Sequence, residues 1–137
     1  MVSRLNPYIS FDGNARQAME FYQSVFGGEL NLTTFGQFDA APPEYADKIM
    51  HGQLETPSGY TIMGADTPPG MAHNLGDNIV VSLSGDDSAE LHGYWEQLSA
   101  SGTVSVPLEK QMWGDEYGAC KDSFGVAWMV NIGQESG

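Results

Sequence analysis

The chain nearly repeats itself, and the repeat constrains its fold more than any single motif does. Gly59-Tyr60-Thr61-Ile62-Met63 recurs in pattern as Gly125-Val126-Ala127-Trp128-Met129. Ahead of the first copy come a strand-like run, Tyr8-Ile9-Ser10-Phe11, then Gly13 and a helix-like run from Ala15 to Phe26. Ahead of the second come Ile79 to Leu83, Gly85 and a helix-like run from Ser88 to Leu98. Repetition of this kind is read before anything else, because overlooking it misassigns the fold. Two copies do not make a solenoid, so the expectation is one compact domain over residues 1–137 built from two pseudo-symmetric halves. A first module spans about 5–66, a linker 67–77 and a second module about 78–133.

Periodicity fills in the halves. Ala15, Ala18, Met19, Tyr22 and Phe26 form one apolar stripe at helical spacing, opened by the turn residues Asp12 to Asn14 and closed by Gly27-Gly28. Leu30 to Phe38, Ile49 to Thr56 and Tyr60 to Ala65 read as strands, the last two joined as a hairpin by Pro57-Ser58-Gly59. Pro42-Pro43 makes residues 39–47 a loop, with a short helical turn from Pro43 to Lys48. In the second half Asp87, with Glu90 three residues on, predicts a capped helix carrying Leu91, Tyr94, Trp95 and Leu98. Thr103 to Leu108, cut short by Pro107, a run near Tyr117 to Lys121, and Val126 to Ile132 read as strands. Each half is therefore β-α-β-β-β, and the fold class is α+β.

Charge narrows the range of partners. Eighteen acidic residues against five basic ones give a formal charge of −13, and both halves are acidic. Such a field repels phosphate backbones and anionic lipid, so neither nucleic acid nor membrane is an expected partner. The single cysteine, Cys120, excludes an intramolecular disulfide. The opening residues lack the apolar core of a signal peptide, and no apolar run reaches the roughly 18 residues of a bilayer span. A cytoplasmic protein is expected.

The strand, Asp12-Gly13-Asn14, and the helix ending Glu20-Phe21-Tyr22-Gln23-Ser24-Val25-Phe26-Gly27-Gly28 resemble the vicinal oxygen chelate superfamily of glyoxalases, bleomycin-resistance proteins and dioxygenases. His51-Gly52-Gln53-Leu54, Pro107-Leu108, Trp113 to Gly118 and Asp122 to Asn131 are similar to its PhnB-like branch. The resemblance runs in order along nearly the whole chain. It implies two β-α-β-β-β modules whose curved mixed sheets enclose a cavity, and a homodimer. In metal-dependent members, ligands come from the first and fourth strands of each half, and the ion chelates two neighbouring substrate oxygens. Carried over by resemblance, those positions fall on Pro7 or Tyr8, Met63, Asn78 or Ile79, and Met129. None is a histidine or carboxylate, and thioethers suit hard or borderline ions poorly. No metal and no cofactor is expected.

Other residues could still carry chemistry. His51 and Gln53 share parity on one strand, with Glu55 beyond them. They form either a polar cavity lining or a solvated strand face. As metal ligands they would sit about 7 Å apart, too spread for one ion. Trp113 and Tyr117, on a glycine-containing loop, either close over a flat ligand or plug the sheet end or a dimer interface. Met63 and Met129 make a pocket apolar, while Trp128 reads as core. Asp66 and Asp122 read as turn caps, His73 and His92 as surface residues, and Cys120 as inert. The chain has no Gly-x-Gly-x-Gly loop after a strand that would hold a sulfonium cofactor for methyl transfer, and no phosphate loop or dinucleotide fingerprint.

The leading expectation is a protein that binds a small molecule in a mostly apolar cavity, without the superfamily metal, through His51, Gln53, Met63, Trp113, Tyr117 and Met129. The alternatives are a metal-dependent lyase, isomerase or dioxygenase with an unusual ion or an acid–base pair around His51, and a dimerisation module without ligand.

Overall fold

In a computed structural model, residues 3–38 and 41–133 are described. The chain resolves into two compact units, Met1–Asn74 and Leu75–Gly137, and the boundary falls inside a stretch without helix or strand.

The first unit contains β1 (Tyr8–Phe11), α1 (Ala15–Phe26), β2 (Glu29–Thr34), β3 (Ile49–Glu55) and β4 (Thr61–Asp66). The strands lie in the order β1-β4-β3-β2, with β1 parallel to β4 and the other pairs antiparallel. Helix α1 covers one face of the sheet. Its stripe of Ala15, Ala18, Met19, Tyr22 and Phe26 is buried with Phe11, Ile49, Leu54 and Ile62. The second unit repeats the plan with β5 (Val81–Gly85), α2 (Ser88–Ala100), β6 (Thr103–Lys110), β7 (Glu116–Lys121) and β8 (Ala127–Ile132). Its order is β5-β8-β7-β6, again with the outer first strand parallel to the last. Leu91, Tyr94, Trp95 and Leu98 of α2 are buried with Leu83, Trp128, Val130 and Ile132. Two mixed four-stranded sheets, each with one helix, are the expected pair of β-α-β-β-β modules.

The two hairpin glycines confirm the repeat. Gly59 and Gly125 both sit at φ 87°, a left-handed conformation that a side chain would strain. Among the described residues, no helix is long and apolar enough to cross a membrane.

Some expected boundaries move. The second strand stops at Thr34 rather than Phe38, because residues 35–38 coil into a 3-10 turn. That turn is tied by Thr34 N donating to Gln37 Oε1 at 2.7 Å and Gln37 N donating to Thr34 Oγ1 at 3.3 Å, side-chain bonds that compete with a sheet ladder. Strand five starts at Val81, leaving Ile79 and Val80 exposed in the connecting stretch. Strand β6 runs through Pro107 to Lys110 instead of ending at Leu108. It is an edge strand, where a residue without an N–H is tolerated, and register shifts between Val104 and Glu109 absorb the misfit. Tyr117 lies within β7, so it is a strand residue and not part of an aromatic loop.

Candidate functional site on the open sheet faces

Alternation decides which side chains leave the core. In the first sheet Ile9, Phe11, Leu54 and Ile62 point at α1, so Tyr8, His51, Gln53, Glu55, Thr61 and Met63 share the opposite face. The register brings them together: Met63 lies opposite both Tyr8 on β1 and Gln53 on β3, and Glu55 lies opposite Thr61.

All of these but Met63 are joined in a row. The Tyr8 hydroxyl is 3.4 Å from His51 Nδ1, and the rings tilt together with centroids 5.8 Å apart. His51 Nε2 is 3.5 Å from Gln53 Oε1. Gln53 Nε2 donates to Glu55 Oε1 at 2.6 Å, and the Thr61 hydroxyl donates to Glu55 Oε2 at 2.8 Å. Arg4, from the segment before β1, reaches over to pair with Glu55 and donates to Thr61 Oγ1 at 3.3 Å. The Glu55 carboxyl is held below its usual value by the Thr61 hydroxyl first, then by the Arg4 guanidinium and the Gln53 amide, all donors that favour the anion. Glu55 is therefore the fixed negative member of the row.

In the second sheet Met129 lies opposite Ser82 on β5 and Ala119 on β7, while Tyr117 lies opposite Asn131. Tyr117 and Met129 thus share the face turned away from α2, both half-buried. Trp113 does not join them. It stands exposed in the turn between β6 and β7, which is closed by Gln111 N donating to Asp115 O at 2.7 Å and Gly114 N donating to Gln111 O at 3.0 Å.

Several titratable groups outside this row have structural partners. Asp66, 3% exposed, accepts Ala15 N at 2.9 Å and Ile49 N at 2.8 Å, so it caps α1 and pins the start of β3. Asp122, 4% exposed, accepts Phe124 N, Val126 N and the Trp128 indole N–H. His92 faces Glu116 at 3.1 Å, and His73 faces the Thr67 hydroxyl at 2.9 Å. Burial, helped by the Asp122 charge, pushes the Cys120 thiol up to about 11.

The residues of the open faces do not suit the superfamily ion. The position opposite Met63 is Tyr8, and the position opposite Met129 is Ser82, not Asn78 or Ile79. The first sheet thus offers a phenol and a thioether and the second a hydroxyl and a thioether, each a poor donor set for a hard or borderline divalent cation. Among the described residues, no three His, Cys, Asp or Glu side chains cluster as a metal site. The first open face is also more polar than Met63 alone suggests.

Sequence reasoning missed Arg4 and Thr61 as members of this site and discounted Tyr8. The parity of Thr61 with Met63 on one strand was available as a signal. Nothing in the spacing announces Arg4, which meets Glu55 across an irregular segment.

The crystal structure of PA1353 from Pseudomonas aeruginosa superposes with a TM-score of 0.86 at 34% identity, covering 98% of this chain and 100% of that one. A PhnB protein from Bacillus cereus, described as a putative 3-demethylubiquinone-9 3-methyltransferase, gives 0.77 at 19% identity, covering 96% and 100%. A glyoxylase/bleomycin resistance protein/dioxygenase domain from Frankia sp. shares the fold at 0.68 and 14% identity, over 100% of this chain and 96% of that one. Residues 3–131 match the family model described as 3-demethylubiquinone-9 3-methyltransferase. The chain therefore belongs to that PhnB-like family, on the glyoxalase/bleomycin-resistance fold.

Proposed function

We propose that the protein binds a small polar organic molecule on the open face of the first sheet, holding it through Tyr8, His51 and Gln53 with Met63 beneath, and without a bridging metal ion. The observation that carries this reading is the hydrogen-bonded row from Tyr8 to Arg4. Such a row fixes each side chain before a ligand arrives, which lowers the ordering cost of binding. The family description names a methyl transfer, but this chain has no glycine-rich loop of the kind that holds a sulfonium donor.

A second reading is an acid–base lyase or isomerase, favoured by the approach of the Tyr8 hydroxyl to His51 Nδ1.

The test is a thermal-shift screen of the purified protein against polyols, phenols, amines and hydroxy acids, with and without added Zn²⁺, Mn²⁺ or Ni²⁺. A ligand at 100 times its dissociation constant stabilises by about 2.7 kcal/mol. The expected result is a hit that needs no metal and is lost in His51→Ala. A hit that appears only with added metal, or one that survives His51→Ala unchanged, overturns the proposal.

A further inference from the structure

We infer that Glu55 sets the hydrogen-bonding polarity of the His51–Tyr8 pair from two residues away, and so selects ligands that present a hydroxyl or N–H donor to that pair. This rests on the open face of the first sheet being the ligand site.

The polarity is relayed along one row of side chains. An ionised carboxylate only accepts hydrogen bonds. Glu55 takes one from the Thr61 hydroxyl and one from Gln53 at 2.6 Å, so the Gln53 amide must present its NH₂ to Glu55. Its carbonyl oxygen then faces His51 Nε2. A neutral imidazole has one donor and one acceptor nitrogen. Facing a carbonyl, Nε2 must carry the proton, and Nδ1 is left with its lone pair toward Tyr8. The phenol can do either, so it donates to Nδ1. Its own oxygen lone pairs then complete the open end of the row. From Tyr8 to Glu55 every bond is directed the same way, and among these four residues Glu55 alone cannot turn round.

The consequence is specificity. The open end of the row is an acceptor, suited to a hydroxyl, amide N–H or amine. If the polarity were reversed, Nδ1 would carry the proton, Tyr8 would accept from it, and the phenolic O–H would face outward as a donor. The same two residues would then select carbonyl or anionic ligands. Glu55 is a positioning residue in this scheme, since it does not need to touch the ligand.

The tautomer of His51 is readable without any ligand, by ¹⁵N NMR of the imidazole nitrogens at a pH well above the ordinary histidine value of about 6.5. The signals of His51 are those lost in His51→Gln. The wild-type protein is expected to show the Nε2–H form in excess. In Glu55→Lys the new ammonium only donates, so the Gln53 amide turns over and the Nδ1–H form becomes the majority. Adding Gln53→Glu to that variant places an acceptor beside Nε2 again and restores the Nε2–H form. An excess of the Nδ1–H form in the wild type, or an unchanged population in folded Glu55→Lys, overturns the inference. If Glu55→Lys does not fold, the nearly isosteric Glu55→Gln is read instead. There the Nε2–H excess is expected to fall, and a constant population overturns the inference. Failure of the ligand screen leaves this result standing, so the two readings fail separately.

Discussion

Both sheets close their last hairpins with the same backbone bonds. Thr56 N donates to Tyr60 O at 3.0 Å and Gly59 N to Thr56 O at 3.0 Å; Asp122 N donates to Val126 O at 2.9 Å and Gly125 N to Asp122 O at 3.1 Å. Even the side chain at the first turn position is used alike, since Tyr60 N donates to Thr56 Oγ1 and Val126 N to Asp122 Oδ1. The helices differ. Helix α2 caps itself, with Asp87 accepting Glu90 N at 3.1 Å. Helix α1 has Asn14 at its N-cap without a side-chain bond and takes its acceptor from Asp66, at the far end of β4. The open faces differ as well, one carrying a polar row and the other Ser82, Ala119 and Met129. The duplicated plan thus lies in backbone and core, and the divergence lies in side chains that cap or line.

The most sensitive shared point is where each helix hands over to its next strand. A Cβ on Gly28 would lie 2.0 Å from the Glu55 carbonyl oxygen, and one on Gly102 would lie 2.0 Å from that of Lys121. Backbone cannot yield as a side-chain tip does, so Gly28→Ala and Gly102→Ala should each cost at least about 3 kcal/mol in denaturant melts. Gly28 also sits at φ 100°, which adds about 1 kcal/mol of conformational strain for alanine. Gly28→Ala is therefore the worse of the pair. Equal and small losses would break the claim that the two hand-overs are equivalent close approaches.

The buried aspartates come next. Asp66→Ala leaves Ala15 N and Ile49 N without their acceptor in the core, a loss of about 3 kcal/mol. Asp122→Ala removes three bonds, but two of them come from half-buried turn amides that water can reach. We expect about 2 kcal/mol there. In addition, hydrogen exchange should accelerate at the first turn of α1 only in the Asp66 variant. Faster exchange at that turn in the Asp122 variant would contradict the assignment of separate roles.

These contrasts mark what the sequence made legible. The bounds of α1 follow from its stripe and from Gly27-Gly28, all local signals. The parity of His51, Gln53 and Glu55 placed them on one face because a strand has a period of two. The capping role of Asp66 depends on amides 17 and 51 residues away, and only the folded sheet brings those together. Arg4 is hidden for the same reason, and Pro107 misled because a proline's tolerance depends on whether its strand lies at an edge. Trp113 and Tyr117 are neighbours in sequence, yet the turn and the strand carry them to different surroundings.

The smallest effect concerns Cys120, which takes in β7 the place Leu54 takes in β3. Leu54 lies opposite Ile62 and Cys120 opposite Trp128, and both are buried, at 0% and 3% exposure. Burial raises the thiol to about 11, so the folded state favours the protonated form. The associated stability is complete below the unfolded value, about 8.5, and is lost as pH rises through about 11. Native protein at pH 8 should therefore resist iodoacetamide and react once unfolded in urea. Cys120→Val, which keeps an apolar group of similar size, should change stability by less than about 1.5 kcal/mol and abolish any decline specific to the thiol between pH 9 and 11. Rapid alkylation of the folded protein at pH 8 would show that the second sheet's core is looser than the first at the matched position, and would limit the equivalence of the two modules to their backbones.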